Sequence, residues 1–145
     1  NSLKEDTYRF FDIKKEIFVV PNFIEIKENI SNEISVCARS MMAFENEKII
    51  THISNFRKVK RILDVVKIFY EIQKEIPSKL MMVGDGPEKQ KAEDLCYQLG
   101  IYDKVLFFGN SNEIDKILNY SDLFLLPSET ESFGLAALEA MDYLK

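Results

Sequence analysis

Five short apolar runs punctuate the chain. They are Ile17-Phe18-Val19-Val20, Lys48 to Ile53, Lys79 to Val83, Lys104 to Phe108, and Leu123-Phe124-Leu125-Leu126. Four of the five end at a Pro or a Gly, and all are too short for a stable helix, so they predict buried strands. Between them the period changes to three and four. Val59, Ile62, Leu63, Val66, Phe69 and Ile72 predict one amphipathic helix. A second is expected from Pro87, as its first residue, to about Leu99, with Gly100 as its stop. Ile114, Ile117 and Leu118 mark a third between Glu113 and Tyr120, and helix formers follow Gly134 to Met141. Residues 1–16 read as a short helix capped by Ser2 or Asp6, residues 25–35 as polar loop, and Val36 to Phe44 as helical before a turn at Glu45-Asn46-Glu47. Alternation of strand and helix predicts an α/β fold: a parallel sheet with helices on both faces.

Composition narrows the function. At 145 residues, 46% apolar and 30% charged, the chain suits one soluble globular domain. A net charge of −5 argues against a nucleic-acid partner, which favours a basic surface. No apolar run approaches membrane-spanning length, so no transmembrane segment is expected. Cys37 and Cys96 fit no metal or redox spacing, and a pair of reduced thiols suits a cytoplasmic protein.

Chemistry concentrates where apolar runs end. After Pro127 come Ser128, Glu129, Thr130 and Glu131, then Ser132, Phe133, Gly134 and Leu135 at a helix start. Backbone N–H groups there lack helical acceptors and can meet an anion or a hydroxyl. Glu131 and Glu139 lie about two turns apart and can face one crevice; equally, such acids often only favour a helix dipole or solvate a surface. After the second run, Arg57, Lys58, Lys60 and Arg61 crowd a helix N-terminus, the wrong end for cations. That cost suggests a diphosphate partner, although a solvated basic turn accounts for the same residues. Gly84-Asp85-Gly86-Pro87 either admits a ligand or simply turns the chain. Phe108, Gly109 and Asn110 end the fourth run as candidates for contact with a base, with core packing an equal explanation for the phenylalanines. His52, the sole histidine, sits late in a strand and reads as a core residue.

The wording P-S-x-x-E-S-F-G-L-x-x-L-E-A-M, from Pro127 to Met141, resembles the signature of retaining glycosyltransferases of family 4, which have the GT-B fold of two Rossmann-like domains. The resemblance covers Val19 to Met141. It implies that Glu131 contacts donor-sugar hydroxyls and Glu139 the ribose. It also implies that Gly84 and Gly86 lie near phosphate or sugar, and that Phe108 to Asn110 hold the base. The family's G-R-L-x-x-x-K-G is similar to Ser54 through Arg61: Ser54 stands for the Gly, Asn55 for the Arg, Lys60 matches, and Arg61 replaces the last Gly. Arg57 is then the alternative guanidinium. The block from His52 to Arg61 looks like one subgroup, the N-acetylglucosaminyl-malate synthases of bacillithiol biosynthesis.

What the resemblance implies is the C-terminal, nucleotide-sugar-binding half of a GT-B glycosyltransferase, truncated at its end. Residues 1–16 would be the crossover from a missing N-terminal domain and 17–145 the Rossmann-like domain. The implied reaction moves N-acetylglucosamine from UDP-GlcNAc to L-malate with retention. Lys60, Arg57 and the helix amides would meet the departing diphosphate, and Glu131 and Glu139 would orient the donor. No metal and no further cofactor is then called for, and a homodimer is allowed. A hydrolase using two carboxylates leaves the basic turn unexplained. A non-catalytic nucleotide-binding or interaction module is the alternative.

Overall fold

The computed structural model describes residues 2–24 and 39–143. Its elements are α1 (Ser2–Phe10), β1 (Lys48–Ile53), α2 (Ile62–Glu75), β2 (Ser78–Val83), α3 (Lys89–Gln98), β3 (Val105–Gly109), α4 (Ile114–Tyr120), β4 (Leu123–Phe124) and α5 (Leu135–Tyr143). The sheet is parallel throughout, in the order β3-β2-β1-β4. Burial is continuous from Ile49 to His52 of β1 and from Leu80 to Val83 of β2, because both faces are covered; β1 carries the polar Thr51 and His52 within that run. On one face Ile50, Leu80 and Met82 pack with Val65, Val66 and Phe69 of α2 and Ala92 and Cys96 of α3. On the other, Ile49, Met81 and Val83 pack with Ile117 of α4. This is the Rossmann-like α/β sheet that the alternation predicts.

Four expectations shift. Ile17 to Val20 is not a strand: Phe18 and Val20 are exposed, and among the described residues the run pairs with no strand. Apolar wording yields a strand only where a sheet edge offers hydrogen-bond partners. Val59 belongs to a 3-10 turn at Lys58–Lys60, so α2 starts at Ile62. Pro87 sits in the turn before α3, which starts at Lys89. The first helix spans Ser2–Phe10, which places both cap candidates, Ser2 and Asp6, inside it. The loop expected over 25–35, the start of the 36–44 helix and Cys37 lie outside the described residues. Cys96 is buried and free, its thiol pushed up to about 11 mainly by burial, with Glu93 adding to it.

The seam between β1 and β4 is fastened at its N-terminal end. Asp122 accepts from the Ile49 N–H at 2.9 Å and from Lys48 at 3.0 Å, and pairs with Arg39 at 2.9 Å. Burial opposes ionisation of Asp122, but these three donors outweigh it and hold its carboxyl below the usual range.

Candidate functional site

The order of strand addition reverses between β1 and β4: β2 and β3 are added on one side of β1 and β4 on the other, with all strands parallel. The chain leaves β1 for α2 on one face and leaves β4 for α5, which packs on α4 at the other. Loops that depart to opposite faces spread apart, and such a switch point is where open α/β sheets bind ligands. A cavity of about 270 Å³ lies there. Ile53, Ser54, Asn55 and Lys60 line it from the β1 side, Leu126 and Glu131 through Ala136 from the β4 side, and Asn22 from the N-terminal segment.

Both walls are tied together. The Glu129 N–H donates to the Val59 carbonyl at 2.9 Å. The Lys60 ammonium donates to both oxygens of Glu131, at 2.7 and 2.8 Å. Chiefly through the Lys60 bonds the Glu131 pKa is lowered, so Glu131 is a carboxylate near neutral pH with no proton to give. That disfavours the general-acid role a two-carboxylate hydrolase requires. Gly134, at φ +79, opens α5. Ala137 and Leu138 both donate to its carbonyl, which leaves the Leu135 and Ala136 N–H groups as the helix's anion-facing donors.

A profile describing glycosyl transferases group 1 matches residues 38–144. The chain belongs to this family. It is 44% identical over 141 residues to the N-acetyl-alpha-D-glucosaminyl L-malate synthase of Bacillus anthracis, covering 97% of this chain and 37% of that protein. It is 33% identical over 147 residues to an uncharacterized glycosyltransferase of Methanocaldococcus jannaschii, covering 97% and 38%. The chain thus spans under two-fifths of these relatives. Among solved structures it resembles an S. aureus TarM variant in complex with Fondaparinux, alpha-GlcNAc-glycerol and UDP, with TM-score 0.73 and 25% identity over 98% of this chain and 27% of that one. WaaG, a lipopolysaccharide-biosynthesis glycosyltransferase, superimposes with TM-score 0.70 at 22% identity over 82% of this chain and 32% of that one. The fold is that of one half of a GT-B glycosyltransferase.

Within this group 1 glycosyl transferase domain the candidates separate. Asn55, Lys60, Glu131, Ser132, Phe133, Gly134 and Leu135 meet at the cavity. Glu139 does not. It lines a neighbouring groove of about 280 Å³ with Asp115, Asp142 and Tyr143, joined to the first through Leu135. Arg57 is exposed outside the cavity. Gly84 and Gly86 do not line it either. A Cβ on Gly84 would lie 1.8 Å from the Ser54 carbonyl oxygen, and one on Gly86 would lie 2.8–3.0 Å from Phe56 backbone. Their missing side chains admit protein backbone: Phe56 N–H donates to the Asp85 carbonyl and Glu88 N–H to the Phe56 carbonyl, both at 2.9 Å. Phe108 and Gly109 end β3 and Asn110 follows it, at the far edge of the sheet, where the Gly109 carbonyl accepts from Gly84 N–H at 2.7 Å.

Arg61, which stands where the family pattern has a glycine, adopts a left-handed conformation at φ 54, ψ 46, the region that favours glycine. Ser54, Asn22, Leu126 and Ala136 line the cavity without having been chosen from sequence. Ser54 had one signal: it directly follows β1 two residues beyond His52, so continued alternation turns it to the same face. His52 is fully buried, with Nδ1 2.8 Å from the Leu125 carbonyl and Nε2 2.8 Å from Ser54 Oγ. Burial is the main cause of its lowered pKa, partly offset by the Leu125 bond, so the ring is neutral near pH 7.

Proposed function

We propose that this chain is the nucleotide-sugar-binding part of a retaining glycosyltransferase that moves N-acetylglucosamine from UDP-GlcNAc to L-malate. The single observation that carries this is the convergence of Lys60, Glu131 and the α5 N-terminus on one switch-point cavity in a group 1 glycosyl transferase fold. The L-malate and GlcNAc assignments rest on the Bacillus anthracis relative. Residues 1–16 are the crossover from an N-terminal domain that brings the acceptor, and 17–145 form the donor domain. The free Cys96 thiol suits a cytoplasmic enzyme.

Chemically, bond cleavage at the anomeric carbon loads charge onto the leaving diphosphate. Helix amides already in place stabilise that charge without reorganising, and the Lys60 ammonium adds to them once donor binding has turned it to the phosphate. Lys60 arrives paired to Glu131, so donor entry divides the pair: the ammonium turns to phosphate, and the released carboxylate accepts from sugar hydroxyls. Exposed Arg57 swings in from the rim as a second cation. From the cavity the ribose passes over Leu135 toward Glu139. The base lies toward Phe108 to Asn110, whose loop leads into α4 and so to Asp115 in the Glu139 groove. Gly84 and Gly86 support the floor by seating Ser54 and Phe56.

Calorimetric titration with UDP, uridine and UDP-GlcNAc, repeated with Glu139→Ala, tests this. Saturable UDP binding, weaker for uridine and weakened by the substitution, is expected. A folded chain that binds none of the three would contradict it.

A further inference from the structure

Ser54 stands at the mouth of β1 among the cavity-lining residues, and the hydrogen bonding behind it fixes which way its hydroxyl proton points. A carbonyl oxygen only accepts, so His52 Nδ1, 2.8 Å from the Leu125 carbonyl, carries the ring proton. In a neutral imidazole the other nitrogen is then an acceptor. Ser54 Oγ, 2.8 Å from Nε2, therefore donates its single proton inward to the ring. The Phe56 ring, its centroid 6.2 Å from that of His52, closes the space on the same face of the sheet. Lys60 and Glu131 are the charged groups whose fields reach the imidazole, and they act on it in opposite directions.

We infer that Ser54 is a specificity-determining residue that offers the cavity lone pairs only, with His52 as the positioning residue that enforces this polarity. A ligand atom seated on Ser54 Oγ must bring a proton: a hydroxyl or an amide N–H. A phosphate oxygen, which only accepts, is excluded from that spot and directed to Lys60 and the α5 amides. One wall of the cavity thus sorts the two halves of a nucleotide sugar. The identity of that ligand rests on the nucleotide-sugar reading; the polarity of the hydroxyl does not.

His52 is the chain's only histidine, so a histidine-selective 15N label gives one assignable ring. Long-range proton–nitrogen spectra of the folded chain at pH 7 should show Nδ1 protonated and Nε2 bare. The reverse tautomer would overturn the inference outright. Calorimetry with Ser54→Ala should then weaken UDP-GlcNAc about fivefold while leaving UDP within twofold, the loss of about one neutral hydrogen bond. Ser54→Thr, which keeps the hydroxyl, should restore most of the difference. Equal weakening of both ligands by Ser54→Ala would overturn the sorting role, and so would its absence. If the parent chain binds neither ligand, the nucleotide-sugar reading falls and takes the ligand assignment with it; the tautomer still decides the polarity by itself.

Discussion

The carboxyl edge of the sheet has two halves built to opposite ends. Between β1 and β2 the following loops close on each other, with Gly84 and Gly86 pressed against the backbone of Ser54 and Phe56. Between β1 and β4 the loops part, and the cavity opens. Both halves carry a glycine at positive φ: Gly84 at +126 and Gly134 at +79. A Cβ on Gly84 would collide with a carbonyl oxygen, whereas one on Gly134 would meet only ordinary contacts at 3.9 and 4.0 Å. A glycine after a strand therefore does not announce a ligand. What decides is whether the neighbouring crossover leaves to the same face or the opposite one.

Substituting each glycine separates the halves most sharply. Gly84→Ala should cost at least about 3 kcal/mol in chemical denaturation, from clash added to backbone strain. Gly134→Ala should cost about 1–2 kcal/mol, from strain alone. Equal costs would erase the contrast. Next in size is Lys60→Ala, which removes a charge-assisted bond on the open side. UDP should bind at least tenfold more weakly, by about 1.5–3 kcal/mol, with uridine little changed in the same titration. Thermal stability should move by about 1 kcal/mol or less, because the Lys60–Glu131 pair is partly exposed.

Acid should act on both ends of the β1–β4 seam. Asp122 and Glu131 each have a lowered pKa, so each stabilises the fold fully above its unfolded value, about 4. That stability is lost as pH falls through the lowered folded values. Urea midpoints compared at pH 7 and pH 3 should fall at the lower pH, and by less in Asp122→Asn. The smallest effect is Arg61→Gly. Relieving a left-handed arginine should raise stability by up to about 1 kcal/mol, reduced by loss of the exposed Arg61–Asp64 pair.

The strands β1 and β2 were legible because burial on both faces keeps their wording mostly apolar, whereas β3 and β4 at the sheet edges are only partly buried and β4 pairs over Leu123–Phe124 alone of the run Leu123 to Leu126. Ile17 to Val20 has the same wording and failed, because composition cannot say whether a sheet edge is free to pair. At the site, Lys60, Asn55 and the residues around Gly134 were legible through their place after strands. Gly84 and Gly86 lie against the backbone of Ser54 and Phe56, a contact that sequence alone does not tell from the approach of a ligand. Glu139 was displaced from Glu131 because Glu131 lies before the helix, in a loop whose path spacing cannot fix. Ser54 was missed because its role lies in a proton held by His52, which no residue pattern records.

The most direct test is backbone amide chemical-shift mapping of the folded chain during titration with UDP. Saturable shifts should be largest at Ser54, Asn55, Gly134, Leu135 and Ala136, the two walls of the switch-point cavity. Saturation that leaves those amides unmoved, with shifts gathered elsewhere on the surface, would contradict the placement of the diphosphate between β1 and β4.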